Sequence, residues 1–408
     1  TFSTKKKLKK DLKKILNENE IKTFYNELKK ININAISKKE IDIKNIKELS
    51  KKQSIIEKSN LYEIDKIYWL IEDCKKYGTI SFAGLARCGF IAIDLLNSLE
   101  EIGVIKNNDK IEFLSNISTI TTDLKKDLKK FSKKKFLKKY GHLRPGTYDI
   151  TSDNYSDGYN KYFSNKKNLN DKKTKVKNSH LINISKKQLN KIGIYNTKKQ
   201  LLDFIIQSIQ YREYSKFVFT KSIDLIFKNL IKFGKKYKIN KDDLSFIKID
   251  KITEMYFNLT NYQTIPDLKQ HILENKKEYF QNKNIALPDV IRTGRDLYVQ
   301  YKNFDKINYI SNKQIISKVL KYDHNNIKKS YNGIVCIENA DPGYDFLFNK
   351  GIKGLITKYG GLNSHMAIRC SELNLPALIG VGEKNFNNML NHKFINIDCV
   401  KKKIDFIN

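Results

Sequence analysis

Arginine is nearly missing from this chain. Six residues, Arg87, Arg144, Arg212, Arg292, Arg295 and Arg369, stand against 72 lysines in 408 residues. The formal charge of +34 is therefore carried by lysine, spread along almost the whole length. A nucleic-acid site concentrates arginine, whose planar fork fits phosphates and base edges. No zinc-finger, helix-turn-helix or RNP pattern is present either, so the charge reads as a solvated surface and not as a nucleic-acid interface. Where lysine serves, the chain uses lysine. Each retained arginine is thus a candidate for a bidentate contact with phosphate or carboxylate, or else for a structural ion pair.

Cysteine is sparse as well. Cys74, Cys88, Cys336, Cys370 and Cys399 are scattered without metal-ligand spacing, which suits reduced thiols in a cytoplasm better than disulfides. No apolar run approaches the roughly 20 residues of a membrane helix. The N-terminus is a lysine-rich amphipathic run and not a signal peptide. These absences set the expectation of a cytoplasmic protein with no membrane partner. A glycine-rich nucleotide loop is also absent. The chain begins at Thr1 without Met and reads as part of something longer. Hydrophobic residues at 40% and aromatics at 11% nevertheless leave ample material for two or three folded domains.

What is present centres on Lys358-Tyr-Gly-Gly-Leu-Asn-Ser-His-Met-Ala-Ile-Arg369. The apolar run Gly354-Leu-Ile-Thr357 before it reads as a buried strand. From His365 to Leu373 apolar residues recur at helical spacing. The pattern is strand, glycine-rich loop, helix, with a histidine at the helix start. Gly360 and Gly361 let the backbone turn tightly and approach a ligand, and a helix N-terminus favours an anion there. A neutral imidazole at that point is a nucleophile facing a phosphate cradle. A cap or a satisfied surface histidine is the plainer alternative. Gly333-Ile-Val-Cys-Ile337, the turn Asn339-Ala-Asp-Pro-Gly-Tyr344 and the strand Pro376-Ala-Leu-Ile-Gly380 complete a βαβαβ layout, with His365 at the C-terminal end of a strand.

The remainder reads as mostly helical. Leucine and isoleucine recur at three- and four-residue spacing to about residue 125, and Gly78 to Phe90 reads as a loop opening a buried helix. Tyr140-Gly-His-Leu-Arg-Pro-Gly-Thr-Tyr-Asp-Ile-Thr-Ser-Asp-Asn-Tyr155 breaks the helical pattern. Its His142, Arg144, Thr147 and Asp149 suit recognition of a small polar ligand, or an ordered cap on the helices. Residues 160–200 are rich in lysine and asparagine, and Asn165 to Lys175 within them reads as a solvated loop. A long helix from Lys199 to about Lys235 carries Arg212, Glu213 and Lys216 on neighbouring positions. Glu213 is a candidate base or amine orienter, Arg212 and Lys216 are candidate anion holders, and a Glu213–Lys216 surface pair is the alternative. Helical sequence returns at 241–275. Leu287 to Asp296 is a turn holding Arg292 and Arg295, and 297–330 reads as a linker with a short helix from Lys313 to Lys321.

Gly360-Gly-x-x-Ser-His365-x-Ala-Ile368, followed by Leu375-Pro-Ala-Leu-Ile-Gly380, resembles the mobile phosphohistidine domain of the phosphoenolpyruvate synthase and pyruvate phosphate dikinase family. Ser364 stands where several members have Thr or Cys. The resemblance implies a helical acceptor domain over 1–325 and a small α/β swivelling domain over 330–408. It implies that His365 is phosphorylated, with Ser364 beside it and Gly360, Gly361 and Asn363 in the phosphate loop. It also implies ATP and Mg2+, bound mainly by an ATP-grasp domain lying N-terminal in the same polypeptide. The 140–155 loop, the Arg212 to Lys216 stretch and Asp341-Pro-Gly-Tyr-Asp345 are together similar to a subgroup, the L-glutamine kinases of capsular phosphoramidate synthesis. That likeness implies phosphate transfer to the side-chain amide nitrogen of L-glutamine, with AMP and phosphate as co-products. His142, Arg144, Thr147, Asp149, Arg212, Lys216 and Arg292 are then substrate-binding candidates and Glu213 a catalytic one. Two rivals stand: a family member acting on another acceptor, such as an antibiotic hydroxyl, and a non-catalytic nucleic-acid-binding protein.

Overall fold

The computed structural model describes residues 12–163, 185, 197–257, 264–282, 291, 293–297, 307–323, 327, 330–362 and 364–407. The chain divides into two compact units, Thr1–Phe136 with Asp171–Ile226, and Leu137–Asn170 with Phe227–Asn408.

The first unit is helical. Its elements are Glu18–Lys58, Glu63–Asp73, Ile80–Glu101, Asn107–Asn116, Ile120–Lys130 and most of Lys198–Lys236. Asn17 starts the first of these with a capping box: its side chain accepts from the Glu20 N–H, and the Glu20 carboxylate accepts from the Asn17 N–H. Leu85, Leu96, Leu99, Leu201 and Ile205 are completely buried. Burying such a side chain contributes roughly 1.5–3 kcal/mol.

The loop expected at Gly78 is absent. A π-helical turn, Cys74–Thr79, joins Glu63–Asp73 directly to Ile80–Glu101. Gly78 lies there so close to Leu49 and Phe219 that a Cβ would sit 3.0 and 3.3 Å from their side chains. Close packing thus overrides the breaker tendency of glycine. The merged helix Glu63–Glu101 is long and apolar enough, by length and composition, to cross a membrane, contrary to the reading that no run comes near. Its face of Leu85, Cys88, Ala92, Leu95, Leu96 and Leu99 is buried core.

The second unit is built on a seven-stranded mixed sheet. The strands are β1 (Asn308–Ile310), β2 (Gln314–Lys321), β3 (Ile334–Asn339), β4 (Gly354–Tyr359), β5 (Ala377–Ile379), β6 (Phe394–Asp398) and β7 (Lys403–Ile407), in the order β1-β5-β4-β3-β2-β6-β7. Strands β2 to β5 run parallel, with Val335 opposite Leu355 and Ile356 opposite Leu378. β1, β6 and β7 pair antiparallel. The fully buried runs of β3, β4 and β5 explain their continuous apolar sequence.

β2 replaces the short helix expected over Lys313–Lys321 and bonds to both β3 and β6. Its Ile315, Ser317 and Val319 turn inward while Gln314, Ile316 and Lys318 are exposed. That is a period of two, which the lysines at 313, 318 and 321 disguised. The helical stretch expected over 241–275 is three pieces, Lys241–Leu244, Ile249–Phe257 and Thr264–Asn282. The long helix expected from Lys199 is observed as Lys198–Lys236. The solvated loop expected over 165–175 lies outside the described residues.

Candidate functional site

The site lies where β3 and β4 end. After β4 the chain turns at Gly360 and enters the helix His365–Glu372, with Ser364 as N-cap; the Ala367 N–H donates to its hydroxyl at 3.4 Å. Gly360 has φ +133° and Gly380, at the end of β5, has φ +68°. A Cβ on Gly380 would lie 2.2 Å from the Gly360 carbonyl oxygen, so the two turns touch through bare backbone. The Gly380 N–H donates to the Thr357 hydroxyl at 3.0 Å, tying the same turns together. A Cβ on Gly361, in contrast, would meet nothing within 4 Å. Asn363, assigned to the phosphate loop, lies outside the described residues.

His365 opens the helix, and its side chain is only 8% exposed. Nε2 lies 2.9 Å from Asp345 Oδ1. Asp345 belongs to the 3-10 helix Pro342–Lys350 that follows β3, and its side chain is 4% exposed. Arg369, one turn beyond His365, places Nε 3.5 Å from the same carboxylate oxygen and its guanidinium over the Phe348 ring at 5.7 Å. A buried carboxylate thus stands between an imidazole and a guanidinium. An ionised carboxylate only accepts, so Nε2 is the nitrogen placed to donate to Asp345, which in a neutral ring leaves the lone pair on Nδ1.

Asp345 and Arg369 are the residues that sequence reasoning left unassigned at this centre. Arg369 had a signal: it is four residues from His365 and therefore on the same helical face. Asp345 closed a motif that was read as a turn and as a likeness to a subgroup, without a role of its own.

The 140–155 loop is in the same unit, and His142, Arg144 and Thr147 are buried. Arg144 Nη1 donates to the Ser152 carbonyl at 3.1 Å and the Asp149 carbonyl at 3.4 Å, with the guanidinium over the Phe227 ring. The Asp149 carboxylate accepts from the N–H and hydroxyl of Thr151. Arg212, Glu213 and Lys216 belong to the first unit, on Lys198–Lys236; there the Arg212 guanidinium stacks on Phe90 at 5.2 Å. Arg292 lies outside the described residues. Among the described residues no three His, Cys, Asp or Glu side chains gather to hold a metal ion.

Residues 330–402 match the family of the mobile domain of PEP-utilising enzymes. The match covers β3, the Asp345 segment, β4, His365 and its helix, β5 and β6. It supports a phosphohistidine-type phosphotransferase of the phosphoenolpyruvate synthase and pyruvate phosphate dikinase kind. No curated protein matches the chain.

Proposed function

We propose that His365 carries a phosphoryl group derived from ATP and delivers it to the side-chain amide nitrogen of L-glutamine, within capsular phosphoramidate synthesis. The observation that carries the first half is the His365–Asp345–Arg369 centre at a helix N-terminus, inside the matched segment. The acceptor rests on the likeness of the 140–155 loop, the Arg212 to Lys216 stretch and the Asp341–Asp345 turn to the glutamine kinases. The expected boundary at 325–330 falls within the sheet, because β1 and β2 pair with β5, β3 and β6; in this reading the helical part before β1 holds the acceptor and the sheet from β1 onward belongs to the carrier.

The chemistry is two in-line transfers and one hydrolysis. A ring nitrogen of His365 forms an N–P bond to the β-phosphorus of ATP as the bond between the α- and β-phosphates breaks and AMP leaves, and water then removes the terminal phosphate as inorganic phosphate. The glutamine amide nitrogen then forms its own P–N bond as the histidine N–P bond breaks, and the amide gives up one proton. An amide is a weak nucleophile, so a proton acceptor and cations on the transferring oxygens are needed. Glu213, His142 or Asp149 is proposed for the first task, and Arg144, Lys216 or Arg292 for the second; Arg144 Nη1 also donates to two loop carbonyls.

The test uses the full-length protein with ATP, Mg2+ and L-glutamine, followed by phosphorus NMR. A new phosphoramidate resonance with AMP, absent in His365→Ala, is expected. AMP and a labelled His365 without that resonance would reassign the acceptor, for example to a hydroxyl. No label on His365 would overturn the reading.

A further inference from the structure

We propose that residues 140–163 are a preformed dock for the His365 carrier, with Tyr155 and Gly343 as its contact points at the stage of delivery to the acceptor. This rests on the phosphohistidine reading above.

The dock is braced from within. Besides the two carbonyls held by Arg144, the Tyr155 N–H donates to the Leu143 carbonyl at 2.7 Å and the Ser156 N–H to the Gly141 carbonyl at 3.1 Å. The Ser152 hydroxyl donates to the Pro145 carbonyl. The loop thus keeps its shape by its own hydrogen bonds, as a receptor surface must.

Against it lies the 3-10 helix Pro342–Lys350 of the matched domain. A Cβ on Gly343 would sit 1.8 Å from the Arg144 carbonyl oxygen, so only glycine permits this approach. The completely buried Tyr155 donates its hydroxyl to the Gly343 carbonyl at 3.0 Å. Burial and the nearby Asp345 carboxylate push this phenol well up, which keeps it a donor. Farther along, the Tyr162 ring lies 4.9 Å from Phe346, and Lys350 Nζ donates to the Lys161 carbonyl at 3.3 Å. These contacts alternate along one short helix with Asp345, the residue that holds His365. The dock contacts and the residue that holds His365 therefore share one short helix. The same loop contributes His142, Thr147 and Asp149, so the surface that receives the carrier is also the one proposed to face the acceptor.

The test separates loading from delivery in the full-length protein. Loading is read as acid-labile label on His365 from phosphorus-labelled ATP and Mg2+ without acceptor. Delivery is read as loss of that label and gain of phosphoramidate on adding L-glutamine. Tyr155→Phe is expected to load within about twofold of wild type and to deliver about tenfold more slowly, as loss of one buried hydrogen bond implies. Gly343→Ala is expected to load and to deliver nothing. Hydrogen exchange gives a readout independent of the acceptor: Gly343→Ala should release protection in 141–156 and 341–350 together while His365 still labels. Parallel loss of loading and delivery in Tyr155→Phe, or unchanged protection in Gly343→Ala, overturns the dock. Failure of the wild type to label His365 overturns the phosphohistidine reading, and the dock with it.

Discussion

Asp345 holds His365 from the far edge of its ring, with 2.9 Å between Oδ1 and Nε2 and both side chains buried. Twenty residues separate the two in sequence, and they meet because β3 and β4 are parallel neighbours that end at the same edge of the sheet. The contact fixes a tautomer, which gives the first prediction. Nitrogen-15 spectra of labelled protein should show His365 with its proton on Nε2. Asp345→Asn keeps an acceptor oxygen and should keep that preference while losing the charge. Asp345→Ala should lose it, and phosphorylation of His365 should slow by on the order of tenfold or more, as loss of a buried, charge-assisted hydrogen bond implies. An unchanged tautomer in the alanine variant would show that Asp345 does not set it.

Arg369 supplies the opposite charge, 3.5 Å from Asp345 with a side chain 6% exposed. Removing one member of a buried pair leaves the other uncompensated, at a cost of roughly 3–5 kcal/mol. Arg369→Leu should therefore lower the melting temperature sharply. The double variant Asp345→Asn with Arg369→Leu should recover much of the loss, because no lone buried charge remains. Additive losses in the two single variants and the double would mean that the pair is not coupled.

How much of this was legible in the sequence depended on whether a signal was local. The stretch from Gly354 to Gly380 could be read because its glycines and Pro376 punctuate short apolar runs, and each run became the expected strand or helix. The long helix with Arg212 was equally plain from its spacing. β2 was hidden because lysines at 313, 318 and 321 mimic a helical face, and only pairing with β3 and β6 shows its period of two. Gly78 misled for a related reason: its tight fit against Leu49 and Phe219 is a tertiary fact. Among the site residues, His365 and Ser364 stood in a motif. Asp345, Gly343 and Tyr155 stood in stretches that carried a likeness, but their roles were hidden, because each acts through a partner distant in sequence.

The glycines of the turn region divide into a strict and a tolerant class. Gly380 has φ +68°, and a Cβ there would meet the Gly360 carbonyl oxygen at 2.2 Å. Gly380→Ala should cost more than about 1 kcal/mol, the strain of an incompatible backbone plus the collision. Gly361, with open space around its missing Cβ, should accept alanine with a change within about 0.5 kcal/mol. Thermal melts of the two variants test the contrast, and equal shifts would refute it.

The five cysteines give a prediction about pH. All are buried and free. Burial pushes the thiols of Cys74 and Cys88 from 9.0 up to about 11, and that of Cys336 up to about 12. A thiolate is the reactive form, so native protein at pH 8 should consume almost no disulfide reagent until denaturant is added. The sign of the stability effect follows from the same shifts. Between pH 9 and 11 the unfolded chain has lost these thiol protons while the folded chain keeps them, so the unfolded state binds fewer protons and stability falls as pH rises. The contribution is fully present below about pH 9 and disappears through about pH 11 to 12. Replacing Cys74 and Cys88 by Ala should flatten that alkaline loss, measured as the urea midpoint between pH 8 and 11. The same slope in wild type and variant would assign the loss to other groups, with the buried tyrosines next in line.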